Sequence, residues 1–171
     1  MMESEWLGYQ FGPDEMTLLL SLAGSQPVPG MRLKASLSEE AARAICNDLL
    51  RKGFLWRIED QSGMERTCEL LFHELAAFNA CFHMAGLHGD LALYQTPNMW
   101  LCVEQPARRP YRLYPMQTAL EAHDMAVAFA SEAGGHLSVR VWQGRERVAA
   151  GRLTEQWRSD LDTFWAQLAH H

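Results

Sequence analysis

From Phe78 onward the spacing of apolar residues changes from three and four to two, and this switch constrains the fold more than any other feature of the chain. Upstream, Met64, Cys68, Leu71, Phe72 and Leu75 repeat at helical spacing. Downstream, Phe78, Ala80, Phe82 and Met84 alternate with Asn79, Cys81 and His83, the two sets falling on opposite faces of a strand. Three more strands are expected near Leu91 to Gln95, Met99 to Glu104 and Tyr111 to Tyr114, divided by turn residues at Pro97-Asn98 and Pro106 to Pro110. Such spacing favours an antiparallel meander.

Helices and a hairpin flank this meander. Pro13 suits the first turn of a helix, Asp14 and Glu15 complement the positive end of its dipole, and Gly24 ends it. Pro27 and Pro29 make Ser25 to Gly30 an extended connector, with a short strand expected at Met31 to Lys34. Ser36 and Glu39 have the spacing of a capping box for a second helix, whose stripe is Ala42, Ile45, Cys46, Leu49 and Leu50. Gly53 supplies its left-handed stop, Phe54 to Glu59 leaves as a strand, and Gln61-Ser62-Gly63 reads as a turn. Beyond the meander, Pro115 opens a fourth helix through Met116, Leu120 and Val127 to Gly134-Gly135. Leu137 to Trp142 and Val148 to Leu153 form a hairpin turning at Gln143-Gly144. Trp157, Leu161, Phe164, Trp165 and Leu168 mark an amphipathic last helix that covers its own sheet.

A chain of 171 residues, 48% of them hydrophobic, can bury the core of one compact domain spanning residues 1–171. Its class is α+β, an antiparallel sheet packed against about five helices. Three subregions follow: 12–60, then 64–153 with helix, meander, helix and hairpin, then the helix of 155–170. The absence of a basic stretch with an apolar h-region, and of any long apolar window, predicts a cytoplasmic protein that does not enter a membrane. Cys46, Cys68, Cys81 and Cys102 stand far apart without a C-x-x-C pair, which predicts reduced thiols packed as small hydrophobes.

No phosphate loop, G-x-S-x-G elbow, H-E-x-x-H pair or dinucleotide fingerprint is present, so no catalytic residue and no cofactor is assigned. The residue types that best suit a metal or proton transfer are His83, His88 and Asp90 around the turn at Gly86 to Gly89. His123, on the apolar stripe of the fourth helix, is expected to be a hydrogen-bonded core histidine. Strand alternation leaves one sheet face open to two readings, a second core layer covered by helices one to three or a partner-binding surface. If Leu91, Leu93, Met99, Leu101, Val103, Leu113, Leu137, Val139 and Val141 line one sheet face, Tyr94, Trp100, Cys102, Arg112, Tyr114, Arg140 and Trp142 line the other. Tyr94, Trp100, Arg112, Tyr114, Arg140 and Trp142 are of the types that dominate binding hot spots.

Two resemblances extend this reading. The helix, glycine stop and strand over Ser36 to Glu59 resemble the end of a winged helix, with Ser38 to Lys52 as recognition helix and the turn at Gln61 to Gly63 in the wing. That resemblance implies a DNA-binding regulator contacting phosphates through Arg43, Arg51, Lys52 and Arg57, although a net charge of −6 opposes nucleic acid as partner. The order of elements from Trp6 to Leu153, with a helix opening Pro13-Asp14-Glu15-Met16, resembles the EspG-type chaperones of bacterial type VII (ESX) secretion. Those chaperones carry a second half of similar topology for which this chain has no room, and a homodimer is the substitute the resemblance allows. The reading is therefore a non-enzymatic protein-binding or secretion-chaperone-like module. The alternatives are a winged-helix regulator and a small metal-dependent or hydrolytic enzyme.

Overall fold

The computed structural model describes residues 9–168. Its frame is a seven-stranded antiparallel sheet in the order β1-β7-β6-β5-β4-β8-β9. The strands are β1 (Gln10–Phe11), β4 (Ala80–Gly86), β5 (Gly89–Gln95), β6 (Trp100–Pro106), β7 (Tyr111–Met116), β8 (Ser138–Gln143) and β9 (Glu146–Arg152). Strands β4 to β7 are the expected meander, and β8 returns beside β4. The two residues of β1, not anticipated from the sequence, pair with Tyr111 and Arg112 of β7. A separate hairpin joins β2 (Leu55–Ile58) to β3 (Gln61–Met64).

Helices cover both sheet faces. On one lie α1 (Pro13–Leu22), α2 (Glu39–Lys52) and α3 (Arg66–Ala76), and on the other α4 (Ala119–Glu132) and α5 (Trp157–Trp165). Two cores result, with the sheet as their common wall. Met16, Leu19, Leu20, Leu49, Leu71, Phe72 and Leu75 meet Tyr94, Leu101, Val103 and Leu113 in the first. Ala122, Ala126, Ala130, Leu161 and Leu168 meet Phe82, Met84, Leu91, Leu93, Trp100 and Val141 in the second. Alanines at every fourth position let α4 approach the sheet closely, whereas Leu120, expected on that stripe, points to solvent.

Several boundaries differ from the sequence reading for local reasons. The cap of α2 is Ser38, whose Oγ accepts from the amide of Ala41 at 3.1 Å; Ser36 lies upstream of the helix, so the box with Glu39 does not form. Met31 to Lys34 is not a strand, because the connector bonds to side chains. The Tyr94 hydroxyl donates to Pro29 O, the Arg32 amide donates to the Tyr111 hydroxyl, and Arg145 Nη1 donates to Pro27 O. Gln61, Ser62 and Gly63 pair with Ile58, Arg57 and Trp56, which moves the turn to Glu59-Asp60, with Glu59 at φ 54°. Pro115 sits in β7 opposite Leu101, beyond the residues that pair with β1, and α4 begins instead at a Thr118 cap accepting from Glu121 N. Gly53, at φ 84°, ends α2 as expected.

Glu74 on α3 fastens the β5–β6 turn, accepting from the backbone and side-chain nitrogens of Asn98. Burial alone would raise its pKa; the Asn98 hydrogen bonds, with the Thr96 hydroxyl alongside, outweigh it and hold the carboxyl below its usual range. A depressed folded-state value stabilises above the unfolded value of 4.5 and is lost as pH falls through the folded one. Glu74→Gln should cost about 1.5 kcal/mol at pH 7, the scale of a hydrogen bond to a charged group. In urea titrations the gap from the parent should close as pH drops below 4.5. A gap independent of pH would show that the charge of Glu74 contributes nothing to stability.

Candidate partner-binding groove

The N-terminal helices and the small hairpin enclose a groove of about 420 Å³. Leu55 and Met64, paired across the base of the hairpin, insert into the first core and anchor it, while its outer half is exposed. Leu22 from the end of α1, Cys46 and Leu50 from α2, and Glu69 and His73 from α3 supply the opposite wall. Trp56 lies along the rim. Its Nε1 donates to Met64 O at 3.1 Å, and its ring rests on Gly63, where a Cβ would stand 2.8 Å from Cζ2. The indole is thus held in place against the hairpin by its own hydrogen bond and by the contact with Gly63.

Exposed apolar side chains concentrate here. Trp56 is 42% exposed, Ile58 69%, Leu22 51% and Leu70 51%. Leu22 and Trp56 line the groove, Leu70 lines an adjoining hollow that shares Glu69 and His73, and Ile58 is two residues from Trp56 on the same side of β2. The rim is polar, with Arg57, Asp60 and Ser62. Among the described residues Arg57 and Asp60 form no ion pair.

The aromatic and arginine-rich sheet face expected from alternation is not one surface. Leu93 pairs with Cys102 and Gln95 with Trp100, so β6 presents Trp100 and Cys102 on the side of Leu91 and Leu93. Trp100, Arg112 and Tyr114 accordingly lie on the α4–α5 side, and Tyr94, Arg140 and Trp142 on the α1–α3 side. Tyr94 and Trp100 are buried, and Arg140 alone of the six is exposed.

Among the residues of the winged-helix reading, Arg43 pairs with Glu39, Arg51 with Asp48 and Lys52 with Glu15, leaving Arg57 without a carboxylate among the described residues. The connector between α1 and α2 contains no helix, so the middle helix of a helix-turn-helix is missing. His83 Nε2 and Asp90 Oδ2 meet at 3.1 Å on the face turned to the connector, while His88 sits in the β4–β5 turn. The three do not converge, and among the described residues no group of three or more His, Cys, Asp or Glu side chains is placed to hold a metal ion. His123 is hydrogen-bonded as expected, its Nε2 3.0 Å from Asp162 Oδ1, but it is half-buried between α4 and α5 with its ring edge-on to Trp165.

All four cysteines are free. Burial, with Glu65 adding to it, pushes the Cys68 thiol up to about 12, and burial also raises Cys81 and Cys102. Cys46, half-buried at the groove, is the accessible one. Titration of the native protein with a thiol reagent should label Cys46 quickly and the other three only on unfolding. Equal rates at all four would show that the cores open readily.

Comparison with protein-family models finds no match, and comparison with curated proteins finds none either. Among the described residues no helix is long and apolar enough to cross a membrane.

Proposed function

We propose that the protein is a non-enzymatic, chaperone-like protein-binding module that receives an apolar segment of a partner protein in the groove beside the β2–β3 hairpin. The observation that carries this reading is Trp56, an exposed aromatic held in place by its own hydrogen bond and by Gly63. Pre-organised aromatics dominate interface energies because little side-chain freedom is lost on binding. Leu22, Leu70 and Ile58 supply the apolar surround, and Arg57 and Asp60 the polar rim. The narrower role of secretion chaperone rests on the order of elements alone.

A photo-crosslinking residue placed at Leu70 should capture one defined protein in the native cytosol, and Trp56→Ala in the same chain should reduce the yield about tenfold, the scale of a hot-spot truncation. The same residue at Leu120, exposed on the far side, serves as control. Equal capture from both positions, or capture indifferent to Trp56, would dismiss the groove as the binding surface.

The winged-helix reading has less support, since three of its four cations are already paired within the chain. A salt-dependent DNA shift abolished by Arg43→Ala/Arg51→Ala would revive it.

A further inference from the structure

We infer that a second cavity, on the other side of the molecule from the hairpin groove, binds a small amphipathic ammonium ion, an apolar body with one positive charge. The cavity has a volume of about 520 Å³ and lies between the β4–β5 turn, the end of β6 and the C-terminal end of α4. Sites for small molecules fall at roughly 300–1,000 Å³ and combine apolar walls with a few polar groups. Here Leu87, Pro106, Phe129 and Leu137 provide the walls. Leu87 stands 92% exposed at the mouth.

Charge decides the class of ligand. Asp90, Glu104 and Glu132 line the cavity together with His88 and His136, and no Lys or Arg does. Asp90 turns its carboxylate to His83 on the opposite sheet face, whereas Glu104 and Glu132 form no ion pair among the described residues; Arg112, opposite Glu104 on β7, does not reach it. The C-terminal end of α4 lies here without a basic residue in its last turn, and Glu132 adds negative charge where the helix dipole favours a cation. An anion would meet the carboxylates of Glu104 and Glu132, and a neutral body would strip water from them without replacing it. An ammonium ion satisfies the carboxylates and places its charge near the Phe129 ring.

The test is an NMR titration of the full ¹⁵N-labelled chain at pH 7.5 with 2-phenylethylammonium. 2-Phenylethanol and phenylacetate serve as neutral and anionic counterparts of the same body. Saturable shifts confined to Gly86 to Asp90 and Phe129 to Leu137 are expected. Affinity should be about tenfold above the neutral compound, and Glu104→Gln/Glu132→Gln should remove that preference while leaving the remaining spectrum unchanged. Shifts elsewhere, no saturable binding, equal affinity for the ammonium and the alcohol, or a preference that survives the double variant would each overturn the inference.

Discussion

Gly30→Ala should destabilise the protein by about 3 kcal/mol, combining the cost of a side chain at positive φ with overpacking of a filled site. Gly30 sits at φ 89°, and a Cβ there would stand 2.7 Å from Tyr94 Oη, 3.0 Å from Cys81 Sγ and 3.1 Å from Ala92 Cβ. Tyr94 holds the connector through Pro29 O, so the added methyl group strikes the group that fastens the segment. Gly24 is the internal control. It has nearly the same φ, 82°, but no atom within 4 Å of the Cβ position, so Gly24→Ala should cost only about 1 kcal/mol, the backbone term. Equal losses for the two variants in urea unfolding would show that the contact with Tyr94 contributes nothing.

Trp165→Ala should cost about 3 kcal/mol, at the lower end for truncating a large aromatic because the ring is only partly buried. Trp165 closes the second core from outside. Its ring stacks on Trp100 at 5.6 Å with an interplanar angle of 18°, and it meets Phe82 at 5.0 Å and His123 at 5.2 Å. Removing it uncovers Trp100 and Phe82 together and leaves the seal to Leu161 and Leu168. Trp165→Phe retains an aromatic ring and should recover at least half of the loss. If Trp165→Ala lowers stability by less than about 1 kcal/mol, α5 is not the lid described.

The α+β class, the meander, the Gly53 stop and the covering role of the last helix were legible because each follows from periodicity or backbone chemistry within a few residues. Strand facing was not. Leu101 and Val103 look like companions of Leu91 and Leu93, yet pairing Gln95 with Trp100 puts Trp100 and Cys102 beside the leucines of β5 instead. A sheet covered on both sides removes the polar contrast that would have revealed this, since aromatic and aliphatic side chains are equally welcome on either face. The short strand expected at Met31 to Lys34 failed for a related reason: the Arg32 amide bonds to the Tyr111 side chain, and the connector just before it is held at Pro27 O and Pro29 O by Arg145 and Tyr94, all distant in sequence.

The groove was missed because its residues carry no motif. Trp56 and Ile58 fall in a segment that reads as an ordinary apolar strand, and only burial distinguishes them from Leu55, which enters the core. The alternation Leu55, Trp56, Arg57, Ile58 held a usable signal, since a two-sided apolar strand has either two cores or one exposed side. The hairpin has one core.

The connector's fastening also sets an order of events. Among the described residues the polar ties that seat residues 27–32 come from Cys81, Tyr94, Tyr111 and Arg145, and β1 waits for β7. During synthesis the apolar stripes of α1 and α2 therefore leave the ribosome long before the wall they pack against. Contacts of such sequence separation slow folding and prolong exposure of sticky intermediates. The N-terminal layer that carries the groove is seated only after the meander and Arg145 have emerged, and the nascent chain is prone to aggregation while residues 13–76 wait for them.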